Sequence, residues 1–255
     1  MSKPLCIDLF CGVGGATEGA ILEGYNCVGF DIERHVYGEH RYPAQLVIQD
    51  CLTLHGSQFK DAAFIWASPP CQEYSYMAMP WSLAKAKAAA IRADTTGAEM
   101  ERLNRLFNAC FRIQREACEA AGRHVPMVVE NVRGAQPWVG RARWGYGSFM
   151  LWGDVPALMP IVRKAAKMPS HSMNKGAPKW NCHHSDSVDR AGIGMVRWTN
   201  PDEGGVKQGG DWFSTPGSIS RTTGGHSSAR KMASAMIAKI PLPLSRHVAR
   251  TYLPK

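Results

Sequence analysis

The segment Leu5–Gly15, LCIDLFCGVGG, narrows the fold more than any other part of the chain. Pro4 to Phe10 reads as a short buried strand. It runs into the turn Cys11-Gly12-Val13-Gly14-Gly15, and a helical pattern follows from Ala16 to about Glu23, where Gly24 stops it. A strand that breaks into glycines and then opens a helix lets backbone approach a ligand with no side chains in the way. Asn26 to Phe30 reads as a second strand, with Asp31 at its end and Ile32 beside it. Asp31 lies 19 residues after Gly12, close to the ~20 that separate such a turn from a ribose-binding acid. Thr17 stands where a third glycine would complete G-x-G-x-x-G, so a nucleoside other than a nicotinamide cofactor fits better. A tight turn without a ligand is the other reading.

The rest of the first half continues the alternation. Val47 to Asp50 ends a third strand. Ala63 to Ala67 forms a fourth and delivers Ser68-Pro69-Pro70-Cys71, and Met127 to Val129 forms another and delivers Glu130-Asn131-Val132. Leu103, Leu106, Phe107, Cys110, Ile113, Ala117 and Cys118 recur at helical spacing, and Gly122 ends that helix. LAKAKAAAIRAD is helical at its centre. Strand, helix and strand in turn predict an α/β fold, a parallel sheet with helices on both faces. Ser148 to Gly153 is one more strand. Residues 154 to about 218 lose periodicity and are rich in Gly, Pro, Ser, Asn, His and Trp. A helix returns from His226 to Ile240, with Met232, Ala235, Met236 and Ile240 on one side. The expected organisation is a catalytic and cofactor-binding domain at 1–153, a small basic target-recognition region at 154–218, and a segment at 219–255 that returns to the first domain.

Composition limits the partners. Residues 1–132 carry 12 Lys+Arg and 15 Asp+Glu, a net −3, while residues 133–255 carry 18 and 6, a net +12. A near-neutral half and a basic half fit chemistry on one side and a polyanion on the other, nucleic acid foremost; ordinary solubility charge is the plainer reading. No apolar run approaches the ~20 residues of a membrane span, and the first residues lack the pattern of a signal peptide. The eight cysteines show no C-x-x-C spacing and mostly sit in apolar segments, which fits free thiols in a reducing cytoplasm.

Two residues stand out chemically. Cys71 follows two prolines, which fix φ and stiffen the approach to the sulfur, and it lies past the end of a central strand, where parallel sheets gather ligands. A nucleophilic thiolate needs such a fixed attack angle; a buried structural cysteine is the alternative. Glu130 ends an apolar strand, and burial there would hold a carboxyl protonated and able to donate. A surface carboxylate at a strand end is its alternative.

Taken in order, IDLFCGVGGATEGAILEGYNCVGFDIE, SPPCQEYS and VVENVRG resemble the cytosine-C5 DNA methyltransferases over residues 5 to about 133, with a weaker return near 221–240. The resemblance implies a Rossmann-like domain that uses S-adenosylmethionine. Phe10, Gly12, Gly14, Asp31, Ile32, Asp50 and Pro70 would form the donor pocket, with Asp31 on the ribose and Asp50 on the adenine amino group. Cys71 would be the nucleophile, Glu130 would hold and protonate the pyrimidine edge, and Asn131 would fix the loop. The residues after Cys71, with Met77, Met79 and Trp81, would close on DNA. The implied activity is 5-methylcytosine formation on a base flipped out of double-stranded DNA, in a bacterial or phage-infected cell, by a monomer with no metal. An RNA cytosine methyltransferase of the same architecture and a non-catalytic DNA-binding protein are the rivals.

The resemblance frays in three places. The family's Q-x-R-x-R element has only Arg141 and Arg143 as a counterpart, which either bind the flipped nucleotide or form a solvated basic pair. Where the family has Gly-Asn-Ser/Ala near the donor, this chain has Gly225-His226-Ser227; the histidine either takes the asparagine's place as a hydrogen-bond donor or, when charged, admits a carboxylated donor. In 154–218, basic residues interleave with Trp180, Trp198 and Trp212 as a phosphate-gripping surface. His171, Cys182, His183 and His184 lack the usual zinc spacing and read better as loop residues.

Overall fold

The computed structural model describes residues 2–75, 81–159 and 228–254. The chain divides into two compact units, Met1–Pro160 with Ile240–Lys255, and Ile161–Lys239.

The first unit is built on a seven-stranded sheet. In chain order its elements are β1 (Leu5–Leu9), α1 (Gly15–Leu22), β2 (Asn26–Asp31), the small hairpin β3 (Val36–Tyr37) and β4 (His40–Arg41), β5 (Gln45–Ile48) and β6 (Ala62–Ala67). There follow α2 (Trp81–Ala93), α3 (Ala98–Ala121), β7 (Met127–Val132), α4 (Gln136–Val139), β8 (Trp144–Tyr146) and β9 (Phe149–Gly153). The strand order is β5-β2-β1-β6-β7-β9-β8. The five strands from β5 to β7 are parallel, and β9 and β8 add an antiparallel edge. The α/β reading therefore holds for the described residues, with the correction that the sheet is mixed. β8 had no apolar run to announce it; pairing with β9 defines it.

The alternation of side chains along each strand explains the layering. Ile7, Leu9, Ile65, Ala67, Met127 and Val129 share one cluster with Phe107, Cys110, Ile113 and Ala117 of α3. The helix is bounded by Gly97 and Gly122, both in the left-handed region. On the opposite face, Phe64 meets Tyr25 and Tyr252 with ring centroids 5.4 and 5.9 Å apart. That face is covered by α1 and by the last helix, which with the helix of the second unit counted as α5 is α6 (Leu242–Thr251). α6 was not anticipated. Pro243 in its first turn and Leu244 with Val248 on one face give it the pattern of a Pro-initiated amphipathic helix. It is held to the end of α1 and the turn after it by Tyr25 OH donating to Ala249 O at 2.9 Å, and by Arg246 and Arg250 on the Glu23 carboxylate, each at 2.8 Å.

In the second unit the described element is α5 (Ser228–Ala238), in the place where a helix was expected; Met232, Ala235 and Met236 are each half-buried, while the helix stops before Ile240, which is buried in the first unit. The expected recognition region lies outside the described residues from 160 on. So do His226, Met77, Met79, the three tryptophans at 180, 198 and 212, and the group His171, Cys182, His183 and His184. Among the described residues no helix is long and apolar enough to cross a membrane.

Candidate active site

In an open parallel sheet, ligands collect where the chain reverses its direction of travel between adjacent strands. Here that point lies between β1 and β6. From β1 the chain moves outward to β2 and β5, then crosses back to β6 and β7. Ser68 N donates to Leu9 O at 3.0 Å, so the loops leaving β1 and β6 start side by side. Phe10 to Gly14 occupies one side of the crevice and Ser68 to Cys71 the other.

The glycine turn carries backbone strain. Phe10 has φ 56°, the only positive φ of a non-glycine residue among those described, and such a residue persists only when its surroundings enforce it. Gly12 has φ +52° and faces open space, since a Cβ built there meets nothing within 4 Å. Its N–H donates to Asp31 Oδ2 at 2.9 Å, and His35 Nε2 lies 3.4 Å from Asp31 Oδ1. Burial pushes the Asp31 carboxyl up, but the bonds from His35 and Gly12 outweigh it and hold the group below the usual carboxylate range. The result is an ionised carboxylate at the carboxyl end of β2, fit to accept from hydroxyls. Ile32, next to it, is 71 % exposed. Asp50, two residues past β5, caps a short 3-10 turn by accepting from Leu52 N at 2.9 Å. Arg112 of α3 steadies that turn, donating to Leu54 O at 2.9 Å and to Leu52 O at 3.2 Å.

The Cys71 turn is braced from three directions. Tyr74 N and Ser75 N donate to Cys71 O at 3.0 and 2.9 Å. Asn131 Nδ2 donates to Pro69 O at 2.9 Å, while its Oδ1 accepts from Val132 N at 2.8 Å. Tyr74 OH lies 3.1 Å from Leu103 O and 3.0 Å from Asn104 Oδ1, fixing the turn to α3. Glu73 adds exposed ion pairs to Arg102 at 3.3 Å and Lys87 at 4.0 Å, which contribute little at a surface. A cavity of about 80 Å³, lined in part by Glu73, Lys87, Arg102 and Trp138, adjoins these pairs.

Burial separates Cys71 from most other thiols. Desolvation pushes Cys6, Cys11, Cys51 and Cys110 up, Cys51 to about 12, which leaves them as unreactive thiols. Cys71 is half-buried and in no disulfide. Glu130 is 9 % exposed and Asn131 1 %. Both lie on β7, the parallel neighbour of β6, so the structure brings Glu130, Asn131, Pro70 and Cys71 to one end of two adjacent strands.

Arg141 and Arg143 are both exposed, on the run from α4 into β8. Arg143 N donates to Leu151 O at 2.8 Å, and its guanidinium acts electrostatically on Tyr252. Among the described residues no group of three or more His, Cys, Asp or Glu side chains is placed to hold a metal ion. Sequence reasoning missed Asp8, Thr17 and Tyr42, which form a buried chain beneath the glycine turn. The signal available was an aspartate in the middle of an otherwise apolar strand.

The model of the family C-5 cytosine-specific DNA methylase matches residues 5–102. A search of the curated proteins gives no match. Among solved structures, a protein described as a DNA modification methyltransferase encoded within an Escherichia coli prophage is 23% identical at TM-score 0.34, over 52% of this chain and 33% of its own. The Dnmt2 methyltransferase of S. pombe is 15% identical at TM-score 0.34, over 55% of this chain and 37% of that one. The methyltransferase EhMeth of Entamoeba histolytica is 16% identical at TM-score 0.34, over 55% and 41%. The chain thus spans about a third to two fifths of the length of these structures.

Proposed function

With residues 5–102 carrying the pattern of the C-5 cytosine-specific DNA methylases, we propose that this chain methylates C5 of a flipped cytosine in double-stranded DNA, through a covalent adduct on Cys71. The observation that carries the proposal is the 2.9 Å bond from Asn131 Nδ2 to Pro69 O. It ties β7, which carries Glu130, to the turn that carries Cys71, and so supports placing both groups at one reaction centre.

The residues fit the donor that the family implies. Open space over Gly12, an ionised Asp31 and the exposed Ile32 beside it offer room, a hydroxyl acceptor and an apolar surface at the carboxyl end of the sheet. When bound there, S-adenosylmethionine supplies an electrophilic methyl group. Phe10, Gly12, Gly14, Asp31, Ile32, Asp50 and Pro70 would hold it.

The chain's own residues prepare the base. C5 of cytosine is a weak nucleophile. The Cys71 thiolate adds to C6, forming an Sγ–C6 bond and pushing the electron pair of the C5–C6 double bond onto C5, while Glu130 donates a proton toward N3. After C5 has gained its methyl, the C5 proton passes to a water molecule, the double bond reforms and Cys71 leaves as thiolate, and N3 returns its proton to the Glu130 carboxylate. Two easier steps replace one hard one. The base has to leave the stack first, which costs a few kcal/mol. The basic half of the chain, +12 over residues 133–255, supports phosphate contacts on a duplex.

The test is trapping. Mixed-sequence duplex DNA substituted with 5-fluorocytosine is incubated with protein and S-adenosylmethionine, since fluorine at C5 blocks the final elimination. A denaturation-stable adduct with the parent and none with Cys71→Ser is expected. Adducts with 5-fluorocytosine-substituted tRNA but not with the duplex DNA, or none with either, would overturn the assignment.

A further inference from the structure

A polar chain runs through the apolar interior beneath the glycine turn, and the proposed chemistry gives it no part. Asp8 in β1 is 1 % exposed, Thr17 in α1 0 % and Tyr42, ahead of β5, 8 %. Thr17 Oγ1 donates to Asp8 Oδ2 at 2.7 Å and lies 2.6 Å from Tyr42 OH. With the threonine proton on the carboxyl, the tyrosine is the donor of the second bond.

The Tyr42 ring is wedged between two glycines. A Cβ on Gly29 of β2 would collide with Tyr42 Cζ, and one on Gly14 would meet Pro43 and Tyr42 Cδ2. Gly14 has φ +85° and is the N-cap of α1. One side chain therefore touches the turn after β1, strand β2, which ends in Asp31, and the start of α1, while its own segment leads into β5 and on to Asp50. Three parts of the donor pocket converge on this ring and its hydroxyl.

We propose that Tyr42, acting through Thr17 and Asp8, is a positioning residue that sets the glycine turn for the donor. The inference rests on the reading that this turn holds S-adenosylmethionine. Asp8 serves as a neutral hydrogen-bonding group: burial first, opposed by the Thr17 bond and aided by Asp31, lifts it to about 8. The titratable groups that bear on it are Asp31, Cys6, Cys11, Cys51 and Tyr42.

The test reads donor affinity directly. The Kd of S-adenosylhomocysteine is measured by calorimetry at 15 °C and pH 7 for the parent, Tyr42→Phe, Thr17→Val, the double variant and Asp8→Asn, with thermal melts of each alongside. Loss of one buried hydrogen bond weakens binding about fivefold, so Tyr42→Phe and Thr17→Val are each expected near that value. The double variant should be no worse than Thr17→Val, because both changes break one chain. Asp8→Asn, which still accepts from Thr17, should stay within twofold of the parent. A melt lowered in Tyr42→Phe with Kd unchanged would make the chain a packing feature and overturn the inference. A double variant weakened about 25-fold would overturn it too. A parent that does not bind the probe would overturn the donor reading itself, and this inference with it.

Discussion

Replacing Asn131 separates a role in the reaction from a role in the fold. Its two partners fix the amide orientation: a carbonyl at Pro69 requires the nitrogen, and the N–H of Val132 requires the oxygen. Asn131→Ala removes these partners from a buried carbonyl and a part-buried N–H. Each unsatisfied group costs about 1–3 kcal/mol, so about 2–6 kcal/mol of stability should go, a fall of roughly 4–24 °C in Tm for a protein of this size. The kinetic effect should be larger than folding loss explains. Pro69 is two residues from Cys71, and a displacement near 1 Å at a reacting atom costs about 100-fold. The assay is the rate of adduct formation on 5-fluorocytosine duplex DNA at a temperature where the variant is still folded. Asn131→Asp makes the comparison sharper. Its carboxylate keeps the Val132 bond but points an acceptor at an acceptor on Pro69, so the rate should fall at least as far as for alanine. A rate within threefold of the parent in both variants, despite lowered melts, would show that the Asn131–Pro69 bond holds the fold and does not aim the sulfur.

Asp8→Asn should change how stability depends on pH. The folded state keeps a proton on Asp8 up to about pH 8, whereas the unfolded chain releases it near 3.8; stability from this group is therefore withdrawn as pH rises between those values, by up to about 1.4 kcal/mol per pH unit. Urea melts at pH 5 and pH 8 should show that slope in the parent and a flatter one in the variant, and equal slopes would mean Asp8 is charged when folded. Arg112→Ala removes the bonds to Leu52 O and Leu54 O; charged hydrogen bonds contribute about 1.5–3 kcal/mol, and amides 50–56 should lose hydrogen-exchange protection while β1 keeps its own. Phe64→Ala opens a void between Tyr25 and Tyr252 at a side chain 1 % exposed; a loss of about 3–5 kcal/mol in chemical denaturation is expected.

Local patterns read well from the sequence because local physics sets them. An apolar strand broken by glycines needs no distant partner to be recognised, and the ends of β1, β2, β5, β6 and β7 fall within a few residues of where alternation placed them. What stayed hidden depends on pairing across the chain. β8 is three residues with a glycine in the middle, and only β9 beside it makes it a strand. The antiparallel direction of β9 has no local signature. The candidate site divides the same way. Cys71 after two prolines and Glu130 after an apolar run could be found one at a time. The bond from Asn131 to Pro69 spans 62 positions, and the Asp8–Thr17–Tyr42 chain joins a strand, a helix and a loop that no periodicity relates.

The clasp between α1 and α6 has a bearing on how the molecule is made. Tyr25 finds Ala249 across 224 positions, and Glu23 finds Arg250 across 227. During synthesis the sheet face around Phe64 therefore has only α1 and Tyr25 to cover it until residues 242–251 have left the ribosome. A nascent chain stalled short of that point would present an uncovered aromatic surface, an invitation to chaperones or to aggregation that the finished molecule withdraws.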